Sequence, residues 1–238
     1  MKVMKKSALV VAALSLTVGL SACGNQGEDT KSTSSKEKNE PTITDILNSD
    51  KERMIVMTED TGNTESPQVR WAGVIGKGKL DAHPYYYKDD LELDDFKNMS
   101  MKEFKDRLKE EDESYKSLDD DGKEKEIKYG PRKAGTKVVS ENGENKAEKI
   151  AFDINRDKLG NEEDENAIAG PKYSKIPVSK TDGWLSMQTK DAEDISGQPI
   201  TPFVLNIKAG KNEEKLSFEN VKKAEKEYDN VKVVKSND

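Results

Sequence analysis

What this chain of 238 residues has little of narrows its chemistry before any motif is read. It has one cysteine, so it forms no intramolecular disulfide and no cysteine-based zinc site, each of which needs at least two thiolates in reach of each other. It has one histidine, His83, which removes most other transition-metal chemistry and leaves any Ser-His-Asp arrangement a single base. Aromatic residues are 6% of the chain and hydrophobic ones 32%, against 37% charged, more polar than an average globular domain. Acids outnumber Lys and Arg by 47 to 40, a formal charge of −7, so the overall field draws the protein neither to nucleic acid nor to anionic lipid. No apolar run reaches the roughly 20 residues that a transmembrane helix needs.

One apolar stretch does exist, at the start. Lys2, Lys5 and Lys6 precede Ser7 to Gly19, a run of small and aliphatic residues without charge. A basic n-region and an apolar run too short to span a bilayer form the pattern of a secretory signal peptide. Leu20-Ser21-Ala22-Cys23-Gly24 follows: an aliphatic residue, two small residues, then the single cysteine. This resembles the lipobox of bacterial lipoprotein precursors, and the Lys-, Asn- and Glu-heavy composition looks like that of Gram-positive members. The resemblance implies a leader at 1–22, cut between Ala22 and Cys23, and a Cys23 thiol carrying diacylglycerol with palmitate-like chains. At about 0.8 kcal/mol per buried CH₂, two acyl chains anchor stably where one would not. The expected location is the extracytoplasmic face of the cell membrane, reached through lipid without a span. Loss of Lys2, Lys5 and Lys6 with the leader takes the formal charge from −7 to −10. In some Gram-positive lipoproteins the leader also yields an apolar octapeptide pheromone, and Ser15 to Ala22 occupies that place.

From Gly24 to Pro41 there is no aliphatic or aromatic residue, so this stretch has too little apolar surface to offset its ordering entropy. It reads as a disordered tether, 23–41 with the lipidated cysteine, with a reach of roughly 25 Å. Residues 42–238 read as a single α+β domain of mostly antiparallel short strands with two helices. Met54 to Thr58, Val69 to Ile75 and Tyr85 to Lys88 have the β-branched and aromatic content of strands. Ser100 and Glu103 form a capping box that opens a helix, with Met101, Phe104 and Leu108 on one face and Tyr115 a heptad beyond. Asn142-Gly143 and Asp182-Gly183 signal two hairpins, joining Thr136 to Ser140 with Ala147 to Ile154, and Ile176 to Lys180 with Trp184 to Gln188. Phe203, Leu205 and Ile207 alternate as a further strand. A second helix is expected at Phe218 to Tyr228 with Ser217 as its N-cap, and a last strand at Val231 to Val234. The charged stretches Lys109 to Glu126 and Arg156 to Asn166 read as exposed loops or helix ends.

Few constellations carry chemistry. Asp153, Asn155 and Asp157 place oxygens at alternate positions as calcium loops do, with Asp164 at the twelfth. Lys158 stands where the sharp turn of such a loop wants Gly, and a solvated polar loop explains the same residues. Ca²⁺ is thus the one cofactor the sequence suggests. Tyr85 and Tyr87 share a strand face and, with Trp71 or Trp184, could stack on a sugar ring or clasp a peptide; packing explains them equally. Gly73-Val74-Ile75-Gly76-Lys77-Gly78-Lys79 lacks the Ser or Thr of a phosphate-binding P-loop and reads as a strand ending in a basic turn. His83, beside Pro84, reads as a loop residue. The function expected is a non-enzymatic binding or interaction domain on a lipid anchor, its partner a cell-wall glycan, a peptide or another envelope protein. One alternative is an envelope hydrolase working through two carboxylates, which a raised acid in an acidic cleft would favour. The other is a solute-binding lipoprotein, for which the chain lacks repeated βαβ units.

Overall fold

Arg53–Glu59 (β1) and Gln68–Gly76 (β2) pair antiparallel, and every residue of β2 is buried. A strand covered on both faces shows no polar alternation, and here two separate cores lie on its two sides. The computed structural model describes residues 40–59, 66–85, 88, 90–118, 122–141, 145–147, 149–154, 173–189 and 203–236. The leader, the lipobox of Leu20, Ser21, Ala22 and Cys23, and the tether before residue 40 lie outside the described residues, as do Tyr87, Asn155, Asp157 and Asp164.

Lys79–Pro84 forms β3, joined to β2 by the two-residue turn Lys77-Gly78, both at positive φ (56° and 66°). That turn suits the twist of a hairpin, which explains the glycine- and lysine-rich run. Ser117–Leu118 (β4) and Glu124–Lys125 (β5) make a small separate hairpin. Arg132–Glu141 (β6), Lys149–Ile154 (β7), Tyr173–Thr181 (β8), Trp184–Thr189 (β9), Phe203–Lys208 (β10) and Val231–Ser236 (β11) complete the set. The nine-stranded sheet runs β11-β6-β3-β2-β1-β10-β9-β8-β7, and β7 pairs back onto β6. The sheet curls until its hydrogen-bond circuit closes, through two thin seams: β3 meets β6 at two residue pairs and β7 meets β8 at one. Every pairing is antiparallel except β11 on β6.

The concave face encloses Ile55, Met57, Trp71, Leu185, Leu205 and Ile207. A short helix, Ile43–Asn48 (α1), is packed into it by Ile43, Ile46 and Leu47, with a capping box between Thr42 and Asp45. The Thr44 hydroxyl meets that of Thr136 at 2.8 Å. The chain after β10 returns past α1: Leu216 joins the same core, and the Ser217 N–H donates to Pro41 O at 2.9 Å. A later helix, Val221–Glu227 (α3, after Met101–Ser114 as α2), leads into β11. On the convex face, Met101–Ser114 (α2) and a 3₁₀ turn at Leu93–Phe96 cover Val56, Val74 and Tyr85 with Phe96, Phe104 and Leu108.

The coarse α+β, mostly antiparallel reading holds, and several details change. There are three helices among the described residues; α1, with apolar positions only at 43, 46 and 47, is too short for periodicity to reveal. The strand expected at Tyr85 to Lys88 lies earlier, at Lys79–Pro84. The last helix starts at Val221 with Asn220, whose side chain accepts from Lys223 N–H, as its cap in place of Ser217. The charged run after Lys109 is helical to Ser114 and buries Glu111 between Lys88 and Arg107.

Candidate functional site

His83 is a strand residue on the convex face, not a loop residue. Its Nδ1 lies 2.8 Å from Asp112 Oδ2 on α2 and its Nε2 3.4 Å from Asp81 Oδ1, two positions back on the same face. The Tyr129 ring stacks on it at 4.9 Å between centroids. The Tyr85 hydroxyl donates to Asp112 Oδ1 at 2.8 Å. Burial alone would lower the pKa of His83, but the hydrogen bonds from both nitrogens to Asp112 and Asp81 outweigh it and hold the ring at about 9. Burial, with the Asp112 charge beside it, pushes the Tyr85 phenol far above its ordinary value. At neutral pH His83 is therefore an imidazolium with both protons in place and no lone pair for a base or metal ligand. What this cluster does chemically is tie β3 to α2.

A second site lies past the C-terminal end of α1, in a cleft of about 590 Å³ between Ser49–Met54 and Lys208–Glu213, with Met101 at one wall. Arg53 grips Glu213 with both terminal guanidinium nitrogens, Nη1 and Nη2 (2.5 and 2.8 Å), and Gly210 N–H donates to the same carboxylate at 2.7 Å. Burial would raise Glu213, but the Arg53 fork and the Gly210 amide hold it below the usual carboxylate range. Glu52 is likewise held low, chiefly by Lys105 (2.8 Å) and Lys77 (3.2 Å). Lys208 Nζ donates to Lys97 O at 2.8 Å and lies 4.8 Å over the Trp184 ring; burial pulls its pKa down.

A third feature is Glu219, buried at the edge of a groove lined by Asn145, Lys146 and Lys215–Asn220. Burial raises its carboxyl above the usual range, although Thr44 N–H donates to it at 2.8 Å. Among the described residues it is the one carboxylate lining the groove.

The residues singled out from sequence are separated by the fold. Trp71 lies in the concave core, its ring edge against Phe152, whereas Tyr85 and Trp184 lie in the convex one. Tyr85 and Trp71 have no exposed surface and Trp184 has 2%. The expected stacking face is therefore corrected for these three: their rings are covered by helix α2 or by the sheet's own interior. Asp153 is exposed at the end of β7, and its three partners lie outside the described residues. Among the described residues no group of three or more His, Cys, Asp or Glu side chains could hold a metal ion, and no helix is long and apolar enough to cross a membrane. Sequence reasoning missed Arg53, Glu213 and Lys208, because 160 residues separate the ion pair and nothing local marks it. No family model matches the chain, and no curated protein or solved structure matches it either.

Proposed function

We propose that this is a lipid-anchored protein of the cell envelope whose folded domain serves as a binding or interaction module outside the membrane. The observation that carries the reading is the placement of the single cysteine: Cys23 directly follows a basic and apolar leader and the small residues Ser21 and Ala22. A polar stretch without aliphatic or aromatic residues then leads to Glu40, where the described fold begins. Two acyl chains on Cys23 hold the protein at the outer leaflet, and the tether gives the domain room to meet a partner. The chain enters the fold at the N-terminal end of α1, where the Glu40 carboxylate meets Lys215 at 3.2 Å, while the cleft opens past the other end of that helix. The one histidine is committed to Asp81 and Asp112, which favours binding over histidine-based catalysis.

The test is made in bacteria that process lipoproteins, fed a labelled palmitate analogue. The expected outcome is label on the wild-type protein, sedimentation with membranes, and loss of both in Cys23→Ala, which appears in the soluble fraction. Label absent from the wild type, or a Cys23→Ala protein that sediments as before, overturns the anchor.

A further inference from the structure

We propose that the cleft between Ser49–Met54 and Lys208–Glu213 binds an anionic group, phosphate or carboxylate, on a ligand whose apolar part lies against Met54 and Met101. This gives the binding reading a ligand class and rests on it. Two of the three carboxylates in the cleft wall are already engaged: Glu213 by the Arg53 fork and the Gly210 amide, Glu52 by Lys77 and Lys105. Three ammonium groups are left without a carboxylate among the described residues. Lys51 and Lys211 are exposed on opposite walls. Lys208 is half-buried, and among the described residues its ammonium is met only by a carbonyl oxygen and the Trp184 ring.

Asp50 is the single acid of the cleft that no described cation holds. An exposed lysine without a partner is ordinary, because water solvates it. A partly desolvated one without a counter-ion is not, since removing an ammonium from water costs free energy that an anion would offset. The whole chain is acidic, at −7, so three lysines against the single unheld acid Asp50 in one cleft run against its overall composition. Lysine acts on oxyanions as a point charge and does not demand the planar fork geometry of arginine, which makes phosphate and carboxylate the shared chemistry. Met54 is buried and Met101 half-buried beside them, and their thioethers adapt to the shape of an apolar moiety. A volume of about 590 Å³ falls in the range of small-ligand sites.

Full-length protein in detergent is titrated with inorganic phosphate and, separately, with acetate, each at an ionic strength matched by sodium chloride. The expected result is a saturable rise in melting temperature for at least one of the two, since a ligand that binds the native state alone must raise it. Whichever anion acts identifies the group recognised. In Lys208→Gln/Lys211→Gln the apparent affinity falls at least tenfold. Lys51→Gln, at an exposed position that folding does not depend on, gives a smaller loss and keeps the test open if the double variant does not fold. Lys226→Gln, on α3, leaves the titration unchanged. A response no greater than that to chloride, or one equal in the wild type and the cleft variants, overturns the site. Palmitate labelling at Cys23 is unaffected by any of these outcomes, so failure of the cleft and failure of the anchor are distinguishable.

Discussion

At the scale of single residues, His83 shows how context decides what a side chain is. Its neighbours in sequence, Ala82 and Pro84, say nothing of charge; Asp112, 29 residues away on α2, makes it an imidazolium at neutral pH. Because its folded value of about 9 lies above the ordinary 6.5, its contribution to stability is fully present below pH 6.5 and is lost as pH rises through 9. Its burial keeps solvent from screening the pair. His83→Gln is therefore expected to lower the unfolding free energy by about 1 to 3 kcal/mol at pH 6. The difference between wild type and variant should shrink toward zero by about pH 10 in urea titrations. A difference that stays constant over that range would mean that His83 contributes by packing and not by charge.

At the scale of elements, local chemistry predicts what local physics controls. The Ser100–Glu103 capping box opens α2 as expected, with the Ser100 side chain accepting from Glu103 N–H. Asp182-Gly183 turns β8 into β9 with both residues at positive φ (50° and 82°). Gly73 is different, since its conformation is ordinary and its need for glycine comes from a neighbouring strand. A Cβ there would collide with the carbonyl oxygen of Asp81 on β3. Gly73→Ala should destabilise the protein by about 2 kcal/mol or more through displacement of β3, and should also weaken the His83 cluster that β3 carries. Thermal melts check the first effect. The second is checked by the pH dependence of stability, which should flatten as it does in His83→Gln.

At the scale of the whole molecule, the sheet closes on itself but leaves β11 outside the circuit, paired to β6 on one side. Among the described residues its other edge takes no strand. An open edge invites pairing with another chain, and lysines on it oppose that. Lys232 and Lys235 are both exposed there, while Val231 and Val233 pack toward the concave core. Lys232→Ile/Lys235→Ile is expected to self-associate at concentrations where the wild type does not, read by size-exclusion chromatography with light scattering. An unchanged elution would show that these charges do not guard the edge.

Much of this molecule was legible from its residues alone. The hairpin at Asp182-Gly183, the basic turn after β2, the cap of α2 and the alternation of Phe203, Leu205 and Ile207 follow from dihedral preferences and side-chain periodicity, which act over a few residues. The resemblance of Leu20-Ser21-Ala22-Cys23 to a lipobox lies in a stretch of the same short length. What only the tertiary structure decided is which distant residues share a space. It placed α1 inside the curled sheet and set Trp71 and Trp184 on opposite faces. It also joined Arg53 to Glu213 and His83 to Asp112. Each of these depends on strand order and sheet closure, which arise from the summed burial of many side chains and leave no mark in any short stretch of sequence.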